Sequence, residues 1–78
     1  MRLKQPRLII TFHTTTAAMG MEIACSRAEL PGRLIPVPRE ITAGCGMAWS
    51  APPEARTDLE AFVQQESITT DGWYELTL

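Results

Sequence analysis

The spacing of apolar residues changes in the first third of the chain from the alternation of a strand to the period of a helix. Residues 7–13, RLIITFH, alternate from one side to the other and are rich in β-branched and aromatic side chains, which predicts a strand. A run of threonines follows, and apolar residues then recur at helical spacing until Pro31 and Gly32 stop them: Ala18, Met21, Cys25, Ala28. This pattern predicts a helix over 15–29.

The rest of the chain repeats the alternation of strand and helix. The short apolar segments RLIPV (33–37) and GMAWS (46–50) predict two strands, and Pro36 favours an edge position for the first of them because proline lacks an N–H. Pro52 and Pro53 then open a helix that runs to about Gln65. The Asp-Gly pair at 71–72 turns the chain into a last strand, WYELTL.

The element order is therefore β-α-β-β-α-β. Two right-handed β-α-β units side by side form an α+β, ferredoxin-like sandwich, with a four-stranded antiparallel sheet in the order 4-1-3-2 and both helices on one face. A chain of 78 residues buries enough surface for one core, so we expect a single domain over 1–78. The rival interpretation is a βαβ fragment that needs a partner chain.

Composition and charge argue against several classes of function, among them nucleic-acid binding and membrane insertion. With 45% hydrophobic and 21% charged residues, the chain is typical of a globular domain, and a net charge of −2 gives no reason to expect nucleic acid. No apolar run approaches the length of a membrane span, and the first residues lack the pattern of a signal peptide, so a cytoplasmic location and no membrane partner are expected. In that compartment both cysteines are expected to remain thiols, with a Cys25–Cys45 bridge as the minor alternative.

The candidate chemistry lies in ITAGCGMAW, residues 41–49, where Cys45 stands between two glycines. In the predicted topology the loop 37–45 lies where the first strand ends and the first helix begins, close to His13. A helix N-terminus or a cation favours the thiolate form of a nearby cysteine, which is the nucleophile. We therefore predict that Cys45, Arg39 and His13 are the catalytic residues. The predicted binding residues around it are Thr14, Thr15, Thr16, Gly44, Gly46 and Arg33.

Structural interpretations stay open beside this one. Cysteine in a Gly-Cys-Gly turn can simply be a small apolar residue that packs against the core. A lone histidine is often only a half-exposed polar residue. Cys25 lies on the apolar stripe of the first helix and is expected to pack in the core, while Trp49 and Trp73 are expected in the core or at its rim. With one histidine and no C-x-x-C pair, no metal site is expected, and no cofactor-binding motif is found.

The direction of the Cys45 side chain has two alternatives. If Met47 and Trp49 face the helices, Cys45 points with them toward the start of the first helix. If Ala48 faces the helices, Cys45 points to the open sheet face with Thr11 and His13.

Most of the chain resembles a family of small bacterial proteins, the domain of unknown function DUF3343, grouped as selenium/sulfur carrier-like proteins. The resemblance rests on ITFHTTTAAMGME, on LPGRLIPVPREITAGCGMAW and on the final GWYEL. It implies a carrier, rather than a stand-alone enzyme, that takes sulfur or selenium from a protein donor and passes it to a protein acceptor. Cys45 would be the carrier thiol, with Gly44 and Gly46 flanking it and Arg39 as a matched basic residue. Familiar sulfur-relay proteins have a Cys-Pro pair at a helix start, whereas here Gly46 and a strand follow.

Two other classes of function remain as alternatives. One is a non-catalytic module that binds a small ligand or a protein at the same end of the sandwich. The other is a structural subunit whose open sheet face forms a homodimer through Ile9, Ile35 and Trp73.

Overall fold

The strands and helices follow one another in the predicted order. The structure is a computed structural model that describes residues 4–41 and 44–78. Its elements are β1 (Pro6–Thr11), α1 (Thr15–Ala28), β2 (Arg33–Pro36), β3 (Met47–Ala51), a 3-10 turn (Pro53–Ala55), α2 (Arg56–Gln65) and β4 (Gly72–Thr77). Residues 42 and 43, within the predicted loop, lie outside the described residues. The one change of element type is the 3-10 turn at the start of the second predicted helix, where the Ala55 N–H donates to the Pro52 carbonyl at 3.0 Å.

The four strands form one antiparallel sheet in the order β2-β3-β1-β4. This is the predicted order 4-1-3-2 counted from the other edge, so the ferredoxin-like arrangement is confirmed. β2, which contains Pro36, is an edge strand, as the missing N–H of proline predicts.

Helix α1 has a defined start and end. The Thr14 side chain accepts a hydrogen bond from the Ala17 N–H at 3.1 Å, which satisfies one of the free donors of the first turn. At the other end Glu29 adopts a left-handed conformation with a φ of 56°, and the Leu30 N–H donates to the Cys25 carbonyl at 2.9 Å.

Both helices pack on the same face of the sheet and bury one large cluster, here called the helix-side core. Its fully buried members from the sheet and the helices include Leu8, Ile10, Phe12, Ala18, Met21, Cys25, Ala51 and Leu59. Trp49 lies in this core with 3% of its surface exposed, and its Nε1–H donates to the Pro31 carbonyl at 3.3 Å. The predicted core positions of Cys25 and Trp49 are confirmed.

The opposite sheet face carries a second, smaller cluster, here called the open-face cluster. It consists of buried Ile9, Ile41 and Ala48 with half-buried Ile35, Val37, Tyr74, Leu76 and Leu78 around them. Val37 and Ile41 belong to the segment after β2, whose turn is closed by the Ile41 N–H donating to the Pro38 carbonyl at 3.0 Å. Packing of that segment on the face helps to enclose Ile9, which is fully buried.

The open face does not match the structural alternative in which Ile9, Ile35 and Trp73 form a dimer surface. Of these three residues, only Ile35 is both on this face and partly exposed, and the expectation that Trp73 lies in the core or at its rim is confirmed. Trp73 stands opposite Ile10 across the β1–β4 pair and packs against the helix-side core instead. Tyr74, its neighbour in the chain, occupies the open face opposite Ile9.

Candidate functional site

The Gly-Cys-Gly turn is fixed to two other parts of the sheet. The Cys45 N–H donates to the Phe12 carbonyl at 2.9 Å, directly after the end of β1. The Gly46 carbonyl accepts from the Val37 N–H at 3.0 Å, directly after the end of β2. The cysteine is thus held at the end of the sheet where β1 and β2 finish and β3 begins.

Both glycines have backbone conformations that other residues rarely adopt. The φ angles are +87° at Gly44 and +96° at Gly46. A Cβ at Gly44 would also lie 2.9 Å from the Phe12 carbonyl oxygen, whereas a Cβ at Gly46 would meet no atom within 4 Å. Gly44 is therefore required for the close approach of the turn to β1, which is a contact inside the chain rather than with a substrate.

The Cys45 side chain lies on the helix side of the sheet. It is half-buried and packs against the helix-side core together with Met47, and Trp49 follows on the same face. Its Sγ is 3.9 Å from the Met47 carbonyl oxygen, to which the S–H can donate a weak hydrogen bond. Of the two predicted sheet faces, the structure therefore adopts the first, with Cys45, Met47 and Trp49 on the helix side.

The start of α1 lies at the same end of the sheet. Phe12, whose carbonyl binds the Cys45 N–H, is two residues before the Thr14 cap, and α1 packs over β2 and β3. Thr14, Thr15 and Thr16 are all exposed there. The Thr14 hydroxyl is already engaged with the Ala17 N–H, so this residue holds the helix start in place.

The backbone of His13 lies close to that of Cys45, because His13 follows Phe12, whose carbonyl accepts the Cys45 N–H. The His13 ring, however, contacts Asp71. Its Nδ1 lies 3.5 Å from Asp71 Oδ1, and 60% of its side chain is exposed. Asp71 is fixed by Thr11, whose carbonyl accepts the Asp71 N–H at 2.7 Å and whose hydroxyl donates to Oδ2 at 3.3 Å. Since β4 and β3 flank β1 on opposite sides, His13 reaches toward the side away from Cys45.

The two predicted arginines occupy different places. Arg39 is exposed in the turn after β2, and in the described residues no hydrogen bond or ion pair holds its guanidinium. Arg33 stands at the far end of β2, opposite Ser50, whereas the Cys45 turn adjoins the Pro36–Met47 end. Three residue steps along the strand, about 10 Å, separate those two ends, so the structure does not bring Arg33 to Cys45.

Cys25 is in a different environment from Cys45. It is fully buried on α1, and burial raises the pKa of its thiol to about 11 because the thiolate would lose its hydration. Both cysteines are free thiols, in agreement with the prediction. At neutral pH Cys25 remains protonated and inaccessible.

A small cavity lies beside the first turns of α1. It has a volume of about 420 Å³ and a mostly apolar lining, formed by His13, Thr14, Thr16, Ala17, Gly20, Ser67, Ile68 and Thr69. Its size falls within the range of small-molecule sites. Cys45 is not among its lining residues, so the sulfur and this cavity are separate features of the same end of the domain.

Sequence reasoning missed Asp71 as a member of this end. The Asp-Gly turn was recognised, but its carboxylate was not connected with His13, which is far away in the chain. The signal was available in the topology, because the order 4-1-3-2 places the start of the last strand beside the end of the first.

The described residues contain neither a metal-binding cluster nor a membrane-spanning helix. Residues 4–41 and 44–78 contain no group of three or more His, Cys, Asp or Glu side chains that could hold a metal ion. Within the same residues, neither helix has the length and apolar character needed to span a bilayer.

Comparison with known proteins gives one match. The family model described as "Putative Se/S carrier protein-like" matches residues 7–75, which include both strand-helix units and the Cys45 turn. No curated protein and no solved structure matches the chain significantly. Because the match covers most of the sequence, this chain belongs to the family of Se/S carrier-like proteins.

Proposed function

We propose that the protein carries sulfur or selenium as a persulfide or perselenide on Cys45. The observation that carries the proposal is the contrast between the two cysteines. Cys45 is half-buried on a turn at the end of the sheet, whereas Cys25 is fully buried and has a raised pKa. Only the first has a sulfur that a protein donor can reach.

The transfer step needs no cofactor. The Cys45 thiolate attacks the outer sulfur of a donor persulfide, a new S–S bond forms at Cys45, and the donor cysteine leaves as a thiolate. Passing the sulfur to an acceptor thiolate repeats the same exchange and restores the Cys45 thiolate. Sulfane sulfur moves without net oxidation or reduction of the carrier, in the manner of thiol–disulfide exchange.

The surroundings of the turn suit a protein-to-protein relay. The Cys45 backbone is fixed by the Phe12 carbonyl, while the space around Gly46 is open, so a partner can approach from that side. In this proposal Arg39, exposed in the preceding turn, meets acidic groups of the donor or acceptor, while His13 and the threonines at the start of α1 lie at the same end of the domain, on the side toward Asp71. Arg33 is placed too far along β2 to share it.

The proposal is tested by sulfur loading. The protein is incubated with a cysteine desulfurase and free cysteine, and its intact mass is measured. We expect a gain of one sulfur atom by the wild type and by Cys25→Ala, and no gain by Cys45→Ser. Equal uptake by Cys45→Ser would refute the proposal, since the sulfur would then be on another residue.

A second candidate function is a non-catalytic module that binds a small ligand. The observation that favours it is the cavity of about 420 Å³ beside His13, which does not include Cys45. In that case Cys45→Ala would leave ligand binding unchanged, while a bulky substitution in the cavity, Ala17→Leu, would abolish it. A carrier role predicts instead that Cys45→Ala abolishes sulfur loading and that Ala17→Leu leaves sulfur loading unchanged.

A further inference from the structure

The two edges of the sheet differ in how they are protected. The edge strand β2 has four residues and contains Pro36, and its other end carries the exposed Arg33. Short length, proline and charge are the usual means by which an edge strand is kept from pairing with another chain. The edge strand β4 has six residues, GWYELT, with no proline and no lysine.

The backbone of β4 has a free set of hydrogen-bonding groups. Gln5 and Leu78 exchange two hydrogen bonds, at 2.9 and 3.0 Å, and such reciprocal pairs recur at every second residue of an antiparallel ladder. In the β1–β4 register the next ones are Arg7 with Leu76 and Ile9 with Tyr74. The N–H and C=O groups of the alternate residues, Trp73, Glu75 and Thr77, therefore point away from β1, and in the described part of the chain β4 has no second neighbouring strand.

The one charge on β4, that of Glu75, is paired with Arg56, whose Nε also lies 3.1 Å from Glu60 Oε2. Arg56 Nη1 lies 3.3 Å from Glu75 Oε2, and the same guanidinium lies 5.7 Å from the centre of the Trp73 ring. A charged residue discourages the addition of another strand when no opposite charge lies beside it, whereas Glu75 forms an ion pair with Arg56. A hollow of about 700 Å³ between α2, the α2–β4 connection and Trp73 gives room on the helix side for side chains of an added molecule.

We infer that β4 is a homodimerisation edge at which a second copy of this chain adds its own β4 antiparallel, giving a continuous eight-stranded sheet. The β4 residues whose N–H and C=O groups point away from β1 can form hydrogen bonds only with the same kind of residue in the second copy. This requirement limits the register. Placing Glu75 opposite Glu75 of the second copy would oppose like charges. The longest overlap that avoids this puts Tyr74 on the two-fold axis and Trp73 opposite Glu75 of the second copy.

This register is complementary on both faces. On the helix side each Glu75 comes next to the Trp73 and Arg56 of the other copy, so each Glu75 carboxylate lies between two guanidinium groups, while Glu60 stays on the Arg56 of its own copy. On the open face, Tyr74 and Leu76 of both copies extend the open-face cluster across the axis. About the axis, Trp73 and Glu75 exchange four backbone hydrogen bonds between the copies.

The dimer leaves the cysteine accessible. In the order β2-β3-β1-β4, β1 separates β3 from β4, so the Cys45 turn lies about 10 Å from the pairing edge. The inference is independent of the proposed carrier function, because it involves neither cysteine. Sulfur loading and dimerisation can therefore succeed or fail separately.

The test compares two substitutions at one position. Molecular mass is measured by light scattering from micromolar to millimolar concentration, and folding is checked by circular dichroism. We expect a dimer for the wild type and for Glu75→Ala, which keeps the N–H, and a folded monomer for Glu75→Pro, whose lost N–H points away from β1. A wild type that stays monomeric throughout, or a folded Glu75→Pro variant that stays dimeric, overturns the inference.

Amide hydrogen exchange on the wild type gives a readout that does not depend on any variant folding. We expect the Trp73 and Glu75 amides to be protected in the dimer as strongly as those of Tyr74 and Leu76, and to lose that protection on dilution. A dimer in which the Trp73 and Glu75 amides exchange as fast as those of an open edge would place the interface elsewhere and refute the β4 pairing.

Discussion

The two glycines beside Cys45 give a matched pair of substitutions. Gly44→Ala and Gly46→Ala both place a Cβ on a residue with a φ near +90°, and such strain costs about 1–3 kcal/mol. Only Gly44→Ala also forces a Cβ to 2.9 Å from the Phe12 carbonyl oxygen, a backbone atom that directly follows β1 and accepts the Cys45 N–H. Overpacking of this kind adds about 1–3 kcal/mol.

The expected losses are large for a chain of this size. Domains of 78 residues are typically stable by about 4–12 kcal/mol. We expect Gly46→Ala to lose about 1–3 kcal/mol and Gly44→Ala to lose about 2–6 kcal/mol. Because the clash displaces the Cys45 N–H from the Phe12 carbonyl, Gly44→Ala should also change the rate at which iodoacetamide alkylates Cys45.

Urea unfolding of the two variants and the wild type measures the difference. The midpoint should fall in the order wild type, Gly46→Ala, Gly44→Ala, with an unchanged slope, which shows that the native state remains compact. If Gly44→Ala is as stable as Gly46→Ala, the close approach between the turn and β1 does not constrain the cysteine, and the reasoning is refuted.

Two further predictions concern α1. Burial raises the pKa of Cys25 from 9.0 to about 11, so its contribution to stability is complete below pH 9 and is lost as the pH rises toward 11, because the unfolded chain ionises first. The free energy of unfolding, measured by denaturation at several pH values in this range, should fall more steeply with pH for the wild type than for Cys25→Ala. Parallel pH dependences would contradict the assignment. Thr14→Ala should lose about 1 kcal/mol because it removes the acceptor of the Ala17 N–H, which corresponds to a fall in Tm of about 4–8 °C. Thr14→Ser, which retains the hydroxyl, should recover most of this loss, and an equal loss in both variants would show that the cap hydrogen bond is not the cause.

The fold could be predicted from local patterns because each element has its own signal. Alternation marks β1, the threonines and the Pro31-Gly32 pair bound α1, and the Asp-Gly pair begins β4. What local pattern could not decide was which sheet face each residue occupies, since both faces of this sheet are apolar. For this reason Trp73 is predicted in the core or at its rim and is also a candidate for the open face, and the sequence leaves two directions for Cys45; the packing of Trp73, Met47 and Cys45 on the helix-side core decides both.

Contacts between distant residues account for the rest. Ile9 is buried partly by the segment around Ile41, which lacks any periodic pattern, so its enclosure could not be inferred from β1 alone. His13 and Asp71 are brought together only when β4 is placed beside β1. The sequence therefore indicated the end of the domain at which the candidate site lies, while the side-chain partners at that end depended on long-range packing.

The central claim is that transferred sulfur resides on Cys45, and peptide mapping tests it most directly. After loading with a desulfurase and alkylation, trypsin cleaves after arginine and separates the two cysteines, with Cys45 in the peptide 40–56 and Cys25 in the peptide 8–27. We predict that the mass of one additional sulfur is found on the peptide 40–56. Additional sulfur on the peptide 8–27, or on neither peptide, would contradict the account.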